Sequence, residues 1–305
     1  MTKDLTIIIV TYNSSQIIKN CLSNINFDKY DVVIVDNASL DNTINLVKSS
    51  FSKVKIIKSN KNIGFSRANN LALRQVVTKY SLILNPDAII KESDIEHILF
   101  KMKQHQNVAT AGPLALEQYP INSEEIAAKQ KEAEQDFATI KDNFRQKIDD
   151  ECYFVRFIIG AAIFFNMDLI RKIGFFDENI FMYYDDDEIC NRVNKNGYFN
   201  MISTNSFALH VGGASSSGQE KFRSIYKKNW HLNGWSKHYW KQIKKGKLRA
   251  KRSSFKFCFK YAFLTLFYLF LFNKKKLASN LGSMSGSFCF FVGLKSFKKN
   301  GAARG

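Results

Sequence analysis

The stretch LTIIIVTYNSSQIIKNCLSNI, Leu5 to Ile25, decides the fold. It opens with an unbroken apolar and β-branched run, the pattern of a strand buried on both faces of a sheet. The run stops at Thr11-Tyr12-Asn13-Ser14, and the residues that follow take helical spacing. The same alternation continues to residue 112, with apolar runs at Val32–Val35, Val54–Ile57, Ser81–Leu84 and Val108–Ala111 separated by segments such as SRANNLALRQVV. Strands alternating with helices predict an α/β domain with a mainly parallel central sheet and helices on both faces. Such sheets bind ligands beyond the carboxyl ends of their strands. The first strand ends at TYNS, the second at VDNAS and the fourth at LNPDA, three polar clusters expected to converge on one edge.

Charge divides the chain. The formal net charge is +18, yet residues 1–218 carry 24 basic against 26 acidic residues, and residues 219–305 carry 21 basic residues against the single acid Glu220. A near-neutral body over 1–218 and a basic, aromatic-rich helical segment over 219–305 are therefore expected. Within the segment, YAFLTLFYLFLF at 261–272 falls short of the ~20 residues that span a bilayer as a helix and is followed by Lys274, Lys275 and Lys276. That pattern suits a helix lying on an anionic membrane surface. A core helix with a solvated basic face is the alternative; no nucleic-acid motif is present, so nucleic acid is not an expected partner.

Residues 117–151 are rich in charge and helix formers and carry no strand signal; they read either as a helical flap over the strand edge or as a surface helix pair without a binding role. The five cysteines are scattered and lack CxxC spacing, which argues against a disulfide framework or zinc site. The run LTIIIV is too short for a signal peptide, so a cytoplasmic location is expected. No GxGxxG follows the first strand and no GxxxxGK[ST] occurs, which disfavours dinucleotides and P-loop nucleotides.

Four groups of residues carry candidate chemistry. In SLILNPDAII a strand ends at Asn85-Pro86-Asp87, where proline fixes φ and holds Asp87 at the mouth of the sheet. A carboxylate so placed can hold Mg²⁺ or Mn²⁺ while a diphosphate supplies further ligands; an ordinary turn explains the same residues. Asp36 and Asn37 close the second strand, where Asp36 can accept from a ribose or a pyrimidine N–H, and Thr11, Tyr12 and Asn13 line the same pocket. His210, before a glycine-rich turn, is available as a metal ligand, as a phosphate contact or as a structural residue. Finally, FMYYDDDEICNRV places four acids in a row, Asp185 to Glu188. A helix starting near Asp185 puts Asp186, Ile189, Cys190 and Val193 on one face by i, i+3, i+4, i+7 spacing. Asp186 is then the acid expected to press against the core, which suits a general base; acids also simply favour helix N-termini.

Taken in order, VTYNS, VDNAS, NIGFSRANN, LNPDA, GAAIFF, GFFDENIFMYYDDDEICNRV and HVGGASS resemble the family 2 glycosyltransferases of the GT-A fold, especially the bacterial rhamnosyltransferase-like branch. The resemblance spans roughly residues 5–240 and implies inverting transfer of a sugar from a nucleoside diphosphate donor, with Mg²⁺ or Mn²⁺ on the diphosphate. It matches Asp87 to the metal-binding acid of the DxD-type motif, with Asn85 standing where a first Asp is common. Asp36 matches the nucleoside-contacting acid, Thr11 and Tyr12 lie beside the base, and Gly64, Arg67 and Asn69 lie near the donor. Asp186 matches the catalytic base, with Asp185 in place of a Glu and Asp187 as an extra acid. The mechanism so implied needs Asp87 and Asp186 on one cleft. The expected donor is a dTDP- or UDP-sugar, with rhamnose favoured. The expected acceptor is a lipid-linked or membrane-displayed glycan of a bacterial surface polysaccharide, reached from the inner face of the plasma membrane through 219–305. A nucleotide-sugar pyrophosphorylase and a non-catalytic membrane or nucleic-acid adaptor are the rival readings.

Overall fold

The computed structural model describes residues 3–116, 124–125, 128–132, 146–210, 221–298 and 301–304. Most of the 117–151 insertion and the glycine-serine turn after His210 therefore lie outside the described residues. The chain forms two compact units. The first comprises Met1–Asn60, Ala68–Phe176 and Ile189–Ser215; the second comprises Lys61–Arg67, Asp177–Glu188 and Ser216–Gly305. The change of character near residue 218 is close to the last of these breaks, but two short segments from within the first 218 residues group with the C-terminal region.

The first unit is built on one sheet. Its strands are β1 (Leu5–Thr11), β2 (Asp31–Asp36), β3 (Lys55–Lys58), β4 (Tyr80–Leu84), β5 (Ala88–Ile90), β6 (Val108–Leu116), β7 (Gln146–Lys147), β8 (Cys152–Val155), β9 (Ala162–Asn166) and β10 (Phe199–His210). The order is β3-β2-β1-β4-β9-β6-β10-β8-β7, with β5 joined to β10. Parallel pairing holds β3, β2, β1 and β4 together and joins β6 to β10. The remaining pairs, β4–β9, β9–β6, β10–β8, β8–β7 and β10–β5, are antiparallel, so the sheet is mixed. β1 and β4 are buried along almost their whole length, as strands covered on both faces must be. Helices α1 (Ile18–Leu22), α2 (Thr43–Ser50) and α4 (Glu92–Gln104) bury Ile18, Leu22, Val47, Ile95 and Ile98 in the same core as Ile7, Ile34 and Leu82. Between Ser203 and Phe207, β10 bulges away from the register of β6. The buried Asp94 accepts the Phe207 N–H at 3.1 Å, which satisfies a group the bulge removes from the ladder. Beyond the bulge, β10 pairs with β5 so that His210 stands opposite Ala88.

The second unit is helical. α7 (Phe222–Asn229) runs through a π-helical stretch (Trp230–Trp235) into α8 (Ser236–Lys245), followed by α9 (Lys247–Phe270) and α10 (Lys274–Phe291). Trp230, Trp235, Ala250 and Phe290 form its core. α10 approaches the earlier helices backbone to backbone: a Cβ on Gly282 would lie 2.2 Å from the Tyr226 carbonyl oxygen, and one on Gly286 2.2 Å from that of Trp230. Only glycine permits this approach. The apolar run 261–272 forms the last turns of α9 and the bend into α10, with Asn273 Oδ1 accepting the Lys276 N–H at 3.0 Å. Phe263, Phe267, Phe270, Leu271 and Phe272 stay exposed there. Among the described residues no helix is long and apolar enough to cross a membrane.

Candidate functional site

The parallel register sets the first part of the site. Thr11, the last residue of β1, pairs with Asp36, the last of β2. Both are buried, the Asn37 N–H donates to the Thr11 carbonyl at 2.8 Å, and the Ser59 N–H donates to the Asp36 carbonyl at 2.9 Å. The following loops are stitched together by side chains. Asn13 takes a left-handed conformation (φ 54°), its N–H donates to Ser39 Oγ at 2.9 Å, and its Oδ1 accepts the Leu40 N–H at 2.7 Å. Asparagine tolerates this region better than most residues. The Ser39 N–H donates to Asp36 Oδ1 at 3.2 Å, leaving the carboxylate with further acceptor capacity. Asp41 anchors the same edge: burial pushes its pKa up, but hydrogen bonds from Thr43 and Ser15 prevail and bring it down to about 2. Tyr12 is half-exposed, and the buried Thr11 Oγ1 has no hydrogen-bond partner among the described residues. Such an orphan hydroxyl costs about 1–3 kcal/mol unless a ligand satisfies it.

The second part lies at the end of β4. The Asn85 N–H donates to the Ala161 carbonyl at 2.9 Å, and the Asn85 carbonyl accepts the Ala88 N–H at 3.0 Å, closing a four-residue turn with Pro86 at its second position. That turn, followed by β5 pairing with β10, brings Asp87 Oδ1 to 3.5 Å from His210 Nε2. The Asp87 side chain is only 8 % exposed. Behind it, burial first and the Asp87 charge second push the Cys21 thiol up to about 12, so that cysteine is an inert wall of the site. Asp87 and His210 offer one carboxylate oxygen and one imidazole nitrogen, 3.5 Å apart, donor types that a divalent cation takes. Among the described residues no cluster of three or more His, Cys, Asp or Glu could hold a metal alone.

Gly64, Arg67 and Asp186 belong to the second unit, and Asn69 is buried in α3 (Phe65–Leu73). Gly64 has φ +83°, and a Cβ there would lie 2.4 Å from the Phe181 carbonyl oxygen. Arg67 donates from Nε to the Glu178 carbonyl at 2.8 Å, with its guanidinium 3.5 Å over the Phe297 ring. The acidic stretch opens α6 (Asp185–Lys195). Here the helical-face expectation is corrected: Asp185 and Glu188 are buried, while Asp186 is only partly so. The chain enters the helix through two left-handed residues, Tyr183 and Tyr184, each at φ 66° and costing about 1–2 kcal/mol. Asp185 is the first residue of the helix, and backbone N–H groups of Tyr183 and Asp185 favour its charged form. Burial, then the neighbouring Asp186, raises its pKa to about 8; burial and Asp186 likewise raise Asp187 to about 6, against the pull of Lys244. Asp186 Oδ1 accepts the Asp187 N–H at 3.0 Å. Sequence reasoning missed the contacts that hold this stretch, because Phe181, Tyr239, Ser236 and Phe297 meet only through long-range packing.

Comparison with known proteins places this geometry. The family model described as Glycosyl transferase family 2 matches residues 6–174. A low-salt glycan biosynthesis hexosyltransferase, Agl10 of Haloferax volcanii, is 28 % identical over 64 % of this chain and 63 % of its own length. An N-acetylglucosaminyl-diphospho-decaprenol L-rhamnosyltransferase of Mycobacterium tuberculosis is 21 % identical over 72 % of this chain and 80 % of its own. The chain thus spans less than two thirds of the first of these relatives. Among solved structures, the mannosyltransferase PcManGT of Pyrobaculum calidifontis, in complex with GDP-Man and Mn²⁺, superposes with a TM-score of 0.57 at 16 % identity, covering 95 % of this chain and 87 % of that one. GalNAc-T7 with UDP, GalNAc and Mn²⁺ gives 0.53 at 11 % identity, over 76 % of this chain and 48 % of that one. These likenesses establish the GT-A fold.

Proposed function

The chain belongs to glycosyl transferase family 2, and from that premise we propose that it transfers a sugar, with inversion, from a nucleoside diphosphate donor to a hydroxyl of a glycan acceptor. The observation that carries this reading is the Asp87–His210 pair, 3.5 Å apart, whose carboxylate and imidazole would hold one divalent cation. Bound there, Mg²⁺ or Mn²⁺ supplies positive charge to the departing diphosphate. Asp87 and His210 hold that position, with Asn85 closing the turn that presents Asp87. Asp36 accepts from the ribose or base, the Thr11 hydroxyl gains the partner it lacks, and Tyr12, Asn13 and Asn37 complete the nucleoside pocket. Gly64, Arg67 and Asn69 are assigned to the neighbourhood of the donor. Asp186 accepts the proton of the attacking hydroxyl. Asp185 is less suited to that task, since burial, then the neighbouring Asp186, pushes its pKa up and favours its protonated form.

The donor favoured is dTDP-rhamnose, with a UDP-hexose as the alternative, in keeping with the rhamnosyltransferase and hexosyltransferase relatives. The acceptor favoured is a lipid-linked glycan of a bacterial surface polysaccharide. Support for a membrane acceptor comes from the exposed aromatic end of the α9–α10 hairpin, where Phe270 is 79 % exposed, beside Lys274, Lys275 and Lys276. Apolar insertion and attraction to anionic lipid act there together, holding the protein on the inner face of the plasma membrane. Flotation with vesicles of anionic and of neutral lipid tests this, and equal recovery of wild type and a Phe267→Asp/Phe270→Asp variant in the soluble fraction sinks it.

Calorimetric titration with a panel of nucleoside diphosphate sugars, with and without Mn²⁺, tests the central reading. Metal-dependent binding of one donor, lost in Asp87→Ala, is expected; absence of binding by every donor refutes it. A pyrophosphorylase would instead turn over a nucleoside triphosphate with a sugar phosphate, and an adaptor would show neither reaction.

A further inference from the structure

The segment that precedes the acid helix is held, residue after residue, by groups from other parts of the second unit. Tyr239 donates from its hydroxyl to Asp177 Oδ2 at 2.8 Å. Arg67 donates to the Glu178 carbonyl. Ser296 Oγ donates to the Asn179 carbonyl. The Phe181 carbonyl accepts the Phe65 N–H at 2.8 Å, and its ring stacks on His231 with centroids 4.7 Å apart and meets Phe297 edge-on at 5.8 Å. Ser236 Oγ donates to the Met182 carbonyl at 3.0 Å. After these contacts come the left-handed Tyr183 and Tyr184, and then Asp185 and Asp186.

The bracing end of the chain is itself tied down. The Trp235 Nε1–H donates to the Leu294 carbonyl at 2.7 Å, the Arg304 N–H donates to the Ser296 carbonyl at 2.8 Å, and Phe297 bridges to Ala303. Phe297 is buried, with the Arg67 guanidinium 3.5 Å over its ring. Two left-handed tyrosines in succession persist only where their surroundings over-determine them. Four of the bracing side chains, Ser236, Tyr239, Ser296 and Phe297, come from the region that sequence reading assigned to membrane attachment.

We propose that the C-terminal region is a positioning element for the acceptor-activating carboxylate: Ser236, Tyr239, Ser296 and Phe297 fix the loop Asp177–Tyr184 and thereby the placement of Asp186. The proposal rests on the transferase reading for the role of Asp186, whereas the brace itself rests on contacts within one unit. Its consequence is that the C-terminal region is needed for turnover even where no membrane is present.

The test uses the full chain in detergent-free buffer, with Phe297→Ala, a Ser236→Ala/Tyr239→Phe double variant, and Phe297→Tyr, which keeps a ring under Arg67. Hydrogen exchange is read at the Phe65 amide and at the amides of residues 178–188, and kcat and donor KM are measured with dTDP-rhamnose, UDP-glucose and Mn²⁺. Expected is about tenfold faster local exchange with β1, β2 and β4 unchanged, as for local opening. A fall in kcat of about tenfold or more at constant donor KM should accompany it, since small misplacements of a reacting group are felt strongly. Phe297→Tyr should restore both. Unchanged exchange at 178–188 in both disruptive variants, or faster exchange with kcat intact, overturns the proposal. Failure of the wild-type protein to turn over any donor refutes the transferase reading and with it the catalytic role, while the exchange result still decides whether the brace exists.

Discussion

Replacing Gly286 by alanine sets two principles against each other, and their magnitudes predict the sign. Gly286 lies within α10, where alanine is favoured over glycine by about 1 kcal/mol. Packing opposes this. The new Cβ would stand 2.2 Å from the Trp230 carbonyl oxygen and 3.0 Å from the Trp235 nitrogen, both backbone atoms that no rotamer change can move aside. Relief requires α10 to shift by about 1 Å, and overpacking of this kind costs about 1–3 kcal/mol or more. Taking the upper figure for a backbone clash leaves a net loss of about 2 kcal/mol. The three tryptophans, Trp230, Trp235 and Trp240, all belong to the second unit, so urea unfolding followed by tryptophan fluorescence reports on that unit. With a slope of about 2 kcal/mol per molar, the midpoint should fall by about 1 M. A midpoint equal to or above that of the wild type would show that the close approach of α10 to the Trp230 backbone is wrong.

Four further outcomes are expected. Asp186→Asn should lower kcat by about 10²–10⁴-fold while leaving donor affinity intact, the range for loss of a general base; unchanged turnover would remove Asp186 from the reaction. His210→Ala should weaken Mn²⁺-dependent donor binding without altering the far-UV spectrum, and unaltered metal dependence would show that Asp87 holds the cation without it. For Asp185, the folded pKa of about 8 lies above the ordinary value of about 4. Its contribution to stability is therefore fully present below pH about 4 and is lost as pH rises toward 8. Asp185→Asn should raise the thermal midpoint more at pH 8.5 than at pH 5, and equal shifts at the two values would contradict the burial. Lys101, whose side chain is 10 % exposed, bridges Asp149 at 2.9 Å and Glu151 at 2.6 Å. Lys101→Met should cost roughly 2 kcal/mol, less than the ~3–5 kcal/mol of a fully buried pair because both acids keep some solvent; circular dichroism at neutral pH is the measure, and a loss under about 0.5 kcal/mol, near the value of an exposed pair, would deny the bridge a structural role.

Residue pattern was enough to reveal the strand-helix alternation from Leu5 onward and, through it, the edge to which Thr11, Asp36 and Asp87 are carried. Those features depend on local propensity and on period-two or period-3.6 burial, which neighbouring residues encode directly. It also marked the basic, aromatic region, since charge and apolar runs are counted without a fold. Three features arise from long-range packing. It turned the sheet mixed, because β9 enters antiparallel between β4 and β6, a pairing between segments far apart in the chain. It brought His210 to Asp87 through the β5–β10 pairing, which no spacing in the sequence announces. And it buried Asp185 in place of Asp186, because a helical wheel assumes regular geometry, whereas Tyr183 and Tyr184 enter the helix left-handed.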